Sequence, residues 1–309
     1  MNKMKKASTL DVSDTITIRK AASKALTDSG LRDKGVKLNY IPQFKSSMKG
    51  NPTGFFQEIT NYLLGGNLSD KDAKISGIMS QEVKNSSRYK KIQKLITKLD
   101  AKKMLPEGVK DGFESGMQLS GKSALLQFKM GSNAAFLPGT NNIMVPEKAL
   151  NTSVFHEMGH GLNANFGKVS KCLQKMRGPA MAAAGIIGLV ALTTKRKVED
   201  TPDENTGKLE KGRHFIKKNA GKLSALAFAP VVAEEAIATI KGNKLAKGVL
   251  DSSLLKKVKL TNAMGLATYA TAAIATGVAT MLAVKAKDSI QSKHEAKIAA
   301  KNEKAAKTN

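Results

Sequence analysis

At 309 residues the chain is long enough for one large or two modest domains. It carries 51 Lys+Arg against 25 Asp+Glu, a formal charge of +26, and only six of those cations are Arg. Specific base reading relies on arginine forks and stacked rings, so a Lys-rich chain with no Trp and 5% aromatic residues is set aside as a specific nucleic-acid reader. The charge fits an anionic lipid surface, where each basic residue contributes about 1 kcal/mol. A single cysteine, Cys172, excludes an internal disulfide.

Residues 1–50 are polar and rich in Lys and Ser, and read as a disordered or loosely attached arm. The first 20 residues lack the apolar run of a secretory signal. Residues 51–120 read as a helical N-terminal region, with Phe55, Phe56, Ile59, Tyr62 and Leu63 at helical spacing, ending in a glycine-punctuated connector from Lys103 to Gly121. Residues 121–177 then change character. Ala124–Met130 reads as a strand, and Asn133–Gly139 leads through Thr140–Asn142 into Ile143–Val145 as a hairpin. Periodicity leaves two uses open for that hairpin: a plain flap, or an edge that pairs with an extended peptide.

After the hairpin comes His156-Glu157-Met158-Gly159-His160, a match to H-E-x-x-H. Histidines four apart share one helix face and can offer two nitrogens to one Zn²⁺. A glutamate directly after the first histidine is placed to act as general base on water. Two of the chain's four histidines sit here. Val154, Phe155, Met158 and Leu162 give the helix an apolar side, and Gly159 and Gly161 cost helix stability unless another backbone or a ligand packs close.

Beyond this helix, residues 178–194 form an uncharged Ala/Gly-rich segment at the lower limit for crossing a bilayer. Residues 195–222 read as a basic loop. Residues 223–241 read as an apolar helix interrupted by Glu234 and Glu235, adjacent carboxylates that are costly to bury unless paired or bound to metal. Residues 260–284 are uncharged and long enough to span a membrane, and 285–309 form a Lys/Ala-rich tail.

The residues at three and six positions beyond His160 are Asn163 and Phe166, which excludes the extended H-x-x-G-x-x-H pattern. Among the downstream acids, only Glu234 and Glu235 lie in an apolar helical setting. At this point the chain resembles the membrane gluzincin peptidases of the CAAX prenyl endopeptidase, HtpX heat-shock and Oma mitochondrial type. The Asn133–Gly139 segment is similar to that group's N-A-F-A-L-P-G substrate strand, His156–His160 to its zinc helix, and Glu235-Ala236-Ile237-Ala238 to its E-x-x-A-D motif.

The resemblance covers roughly Ala124 to Lys241. It implies Zn²⁺ held by His156, His160 and Glu235, with Glu234 as the alternative, Glu157 as the catalytic base, and Ala134, Ala135, Phe136 and Leu137 against the substrate. Thr239 stands where the family has Asp, so support for the histidine ring is expected to be lost or to come from elsewhere.

The fold expected is mainly α: a helical gluzincin-like metallopeptidase with a small hairpin or edge strand and one to three membrane-embedded helices. The expected activity is zinc-dependent endopeptidase action on membrane-adjacent protein or peptide. The alternative is a non-enzymatic basic membrane-binding protein with an incidental H-E-x-x-H. Because the two histidines and a later carboxylate must meet, 178–194 and 223–233 are expected to form a shallow hairpin, with the loop and the active site both on the cytoplasmic side.

Overall fold

The structure, a computed structural model, describes residues 12–45, 50–64, 68–104, 108–148, 151–200, 202 and 204–308. In chain order the elements are α1 (Val12–Asp28), β1 (Lys37–Ile41), α2 (Pro52–Leu64), α3 (Asp70–Asn85), α4 (Ser87–Ala101), α5 (Val109–Lys129), β2 (Ala135–Leu137) and β3 (Asn142–Pro146). A 3₁₀ turn at Asn151–Ser153 leads into α6 (Val154–Asn165). Then come α7 (Lys168–Thr193), α8 (Lys208–Lys218), α9 (Ala220–Ala227), α10 (Ala229–Val249) and α11 (Ser252–Thr308). The architecture is mainly helical with one small sheet. The chain divides into unit 1, Met1–Gly167 with Ile237–Ala263, and unit 2, Lys168–Ala236 with Met264–Asn309.

Unit 1 is built on both faces of a three-stranded sheet of order β1-β3-β2. β1 runs parallel to β3 and β2 antiparallel to it, so Leu38 and Phe136 both lie opposite Ile143. Side chains alternate along a strand. Ile143 and Val145 therefore enter one core with Ile18, Ala22 and Leu26 of α1 and Phe155 and Met158 of α6. Met144 enters the other, with Ile75, Met79, Leu125 and Phe128. In that second core the Lys129 ammonium bonds Asp72 at 2.8 Å and lies over the rings of Phe44 and Tyr62.

Three sequence expectations give way here. The arm expected at 1–50 is ordered structure from 12 to 45, while 1–11 and 46–49 lie outside the described residues. Ile18, Ala21, Ala22, Ala25 and Leu26 recur at helical spacing and bury α1. The strand expected at Ala124–Met130 is instead the end of α5, which buries Leu125 and Phe128 one turn apart. The connector's glycines are largely helix interior. A Cβ on Gly121 would stand 2.9 Å from the Ser76 carbonyl oxygen, so glycine there lets α5 lie close to α3.

Unit 2 contains α7 to α9, the start of α10 and most of α11. Helices at Lys168–Thr193, Ala220–Val249 and Ser252–Glu303 are long and apolar enough to cross a membrane. Met181, Ile186, Leu189, Ile274, Val278 and Leu282 are exposed on them, as lipid-facing residues would be. The loop expected at 195–222 contains α8, which buries His214 and Lys217.

The helices of unit 2 carry two polar layers. In one, the Arg177 guanidinium bonds Glu234, Glu235 and the Tyr269 hydroxyl. In the other, the Lys217 ammonium bonds Asp288 at 2.5 Å and the carbonyls of Thr194 and Arg196. At 1.5 Å rise per residue, Arg177 to Thr193 is about 24 Å and Tyr269 to Asp288 about 28 Å. Those lengths approach the roughly 30 Å of a bilayer's hydrocarbon core. α7, which contains the first arm of the expected shallow hairpin, runs for 26 residues and is long enough to cross a membrane. Between the layers, Gly221 and Gly277 bring two backbones together: a Cβ on Gly277 would lie 2.7 Å from the Gly221 oxygen.

Candidate metal centre

α6 is buried from Val154 through Gly161, on both its polar and apolar residues. Two glycines explain how a second backbone reaches it. A Cβ on Gly159 would stand 2.0 Å from the carbonyl oxygen of Ala238, and one on Gly242 would stand 2.4 Å from that of Phe155. α6 and α10 therefore cross backbone to backbone. His156, Gly159 and His160 lie at i, i+3 and i+4 on α6. Glu235, Ala238, Thr239 and Gly242 lie at i, i+3, i+4 and i+7 on α10. Each set is one stripe on its helix, so the crossing that the glycines permit turns both polar stripes towards the same place.

The stripes meet in a group able to hold a metal. His156, His160 and Glu235 are all buried, and each offers a ligand atom within 4.8 Å of the others. The two imidazole Nε2 atoms are 3.1 Å apart. Two nitrogens at 2.0–2.1 Å from a tetrahedral Zn²⁺ stand about 3.3 Å apart, so the rings are spaced for one ion. Two imidazoles sharing a proton would have a similar spacing. Glu157, Glu234 and Glu235 are buried, and the Arg177 guanidinium bonds the last two.

Support for the histidine comes from the position where sequence analysis expected it to be missing. The Thr239 hydroxyl is 3.2 Å from Nδ1 of His156, and both groups are buried. A hydrogen on Nδ1 donated to that oxygen leaves Nε2 with a lone pair for the metal. The adjacent acids separate by role. Glu235 belongs to the ligand group, while the Arg177 guanidinium donates to Glu234 Oε2 at 2.8 Å and also lies 2.7 Å from Glu235 Oε1. Arg177 stands over the Tyr269 ring at 5.4 Å and donates to its hydroxyl at 3.3 Å. Sequence analysis did not single out Arg177. The available signal was a scarce arginine directly before an uncharged run.

The hairpin is present as β2 and β3, and β2 is an edge strand. It packs beside α6: a Cβ on Gly161 would touch the Phe136 ring at 3.7 Å. Ala135, Phe136 and Leu137 form β2, and Ala134 precedes it. The hairpin tip is held by α3, where Glu82 accepts from the Gly139 amide and the Thr140 hydroxyl and Asn85 donates to the Gly139 carbonyl. His214, buried in α8, contacts the Lys197 carbonyl at 3.0 Å and is not in the ligand group. No family model, curated protein or solved structure matches this chain.

Proposed function

We propose that this chain is a membrane-associated zinc endopeptidase of the gluzincin kind. The observation that carries the reading is the convergence of His156, His160 and Glu235 in a buried group whose ligand atoms lie within 4.8 Å of one another. Zinc bound there supplies Lewis acidity, acidifying water and polarising a carbonyl. Glu157 takes the proton of the attacking water and returns it to the leaving amine. With a hydrogen on Nδ1 donated to the Thr239 hydroxyl, the His156 ring presents Nε2 to the metal. The free edge of β2 pairs with an extended substrate, so Ala134–Leu137 position the scissile bond. Three helices of the chain are long and apolar enough to cross a membrane, which points to membrane-adjacent proteins as the substrate class.

The apolar slab between the polar layers bears on orientation. The loop carrying α8 and Glu235 lie at opposite ends of it, so a spanning unit 2 puts them on opposite faces. We assign the cytoplasmic face to the loop; the active site shares that face, as expected, if the helices lie on the membrane, and faces the other side if they cross it.

The rival reading is a basic membrane-binding protein without catalysis, favoured by the +26 charge. Metal analysis of purified protein separates the two. Wild type is expected to hold stoichiometric zinc and Glu235→Ala to lose it, with Glu234→Ala still loading at saturating zinc. Glu157→Gln is expected to keep the metal and lose peptide cleavage by about 10²-fold or more. Wild type without zinc, or Glu157→Gln with unchanged cleavage, removes the enzyme reading.

A further inference from the structure

We propose that unit 1 contains a second site, a cleft between α1 and β1 that binds a phosphate group. The cleft has a volume of about 500 Å³ and is lined by Arg19, Ser23, Arg32, Lys37 and Tyr40, among others, with no acidic residue in its lining. The chain has six Arg among 51 basic residues, and two of the six stand here. An arginine fork donates to phosphate oxygens in pairs, which a lysine does not, so this placement is selective.

Both guanidiniums have partners on the protein at the cleft. Arg19 lies over the Tyr40 ring at 4.6 Å and donates to the Glu147 carbonyl at 2.9 Å. Arg32 donates to the Ser23 hydroxyl at 3.3 Å. Its turn is made by Gly30 and Gly35, at φ +71° and +76°, which lets the chain fold back and place Arg32 and Lys37 at one cleft.

Two polar atoms of the same cluster, Nε of Arg19 and the hydroxyl of Tyr40, are buried with no hydrogen-bond partner among the described residues. Buried polar groups are rarely left this way, and an absent ion is one of the usual reasons. Burial also holds the Tyr40 hydroxyl well above its ordinary pKa, against the pull of Arg19, so it remains a donor. Three cations are more than one carboxylate needs. A phosphate monoester, with two charges and acceptors in several directions, matches both the charge and the hydroxyl donors. The phosphate can come from a lipid headgroup or from a soluble ester.

Purified full-length protein in detergent, titrated with inorganic phosphate at constant ionic strength, tests this. Saturable binding is expected, weakened about 10-fold or more in Arg32→Met. Arg32 is exposed, so this variant leaves the core alone, and Arg19→Met serves as the second. The double variant Lys293→Gln, Lys297→Gln removes two exposed charges elsewhere and is expected to bind as wild type does. Flotation with phosphatidic acid vesicles identifies the source. Release of the Arg32-dependent part by phosphate assigns a headgroup, and phosphate binding without such competition assigns a soluble ester. Unsaturable binding, or equal loss in the Lys293 and Lys297 variant, overturns the site.

Discussion

Glu234 is not in the ligand group, yet it shares a cation with Glu235, which is. One guanidinium nitrogen of Arg177 reaches both carboxylates, so Glu234 draws off part of a cation that would otherwise compete with the metal for Glu235. In Glu234→Gln the volume is kept and the charge is not. Arg177 then turns its full attraction on Glu235, and the site has one negative charge fewer. Both effects act against a cation, and zinc affinity is expected to fall about 10-fold or more, read by competition with a chelator of known affinity. Thr239→Val tests the other support. It is isosteric and removes the partner of the His156 ring, with an expected loss of about 10- to 100-fold in zinc affinity and little change in fold. Unchanged affinity in both variants would mean that neither contact orients a ligand. The two histidines were legible in sequence because their spacing is local, and the pair Glu234 and Glu235 because its setting is unusual; the preference for Glu235 came from the resemblance. Arg177 and the use made of Thr239 were not, since both depend on helices that meet far from their own neighbours in the chain.

At the scale of elements, the crossing of α6 and α10 is the feature that a single methyl group should break. Replacing a helical glycine with alanine ordinarily stabilises by up to about 1 kcal/mol. At Gly159 the added carbon would overlap a carbonyl oxygen of the partner helix. Backbone rather than a flexible side chain would have to move, and overpacking of this kind typically costs about 1–3 kcal/mol or more. Gly159→Ala is expected to lower the melting temperature and to abolish zinc binding together. Gly77→Ala, on α3 with open space around it, is expected to stabilise slightly and leave zinc binding intact. Equal behaviour of the two would show that the helices do not touch at Gly159.

The same crossing explains what sequence could and could not tell. Gly159 signalled a close approach because it interrupts a motif helix at a cost. The stripe on α1 went unread because alanine, at Ala21, Ala22 and Ala25, contributes little to an apolar pattern even when buried. β1 went unread because its partner Asn142–Pro146 lies about a hundred residues downstream and nothing local announces a parallel pair. The α5 glycines were read as punctuation because the α3 surface that Gly121 accommodates is invisible in one dimension.

For the whole molecule, the decisive quantity is the distance between the two polar layers of unit 2. Arg177, Glu234 and Tyr269 mark one layer, and Lys217, Asp288 and the Thr194 carbonyl the other. The residues between them are uncharged from 178 to 193 on α7 and from 270 to 284 on α11, where Lys285 and Lys287 join Asp288 in the second layer; at 1.5 Å per residue each stretch is about 22–24 Å, against roughly 30 Å of hydrocarbon. If those stretches are embedded, Cys172 near the first layer and Lys208 beyond the second face opposite sides of the membrane. Orientation follows from the basic residues close to helix ends. Residues 195–222 and 285–309 cluster lysines and arginines at the Lys208 end, so that end is expected to stay cytoplasmic. Cys172 is the chain's one cysteine and is exposed, so a membrane-impermeant thiol reagent reads the first position in wild type. Lys208→Cys combined with Cys172→Ser reads the second. In intact cells Cys172 is expected to react and the residue at 208 to react only after permeabilisation. The opposite pattern would keep the span and reverse its orientation. Reaction of both from one side would mean that the apolar helices pack on the membrane without crossing it.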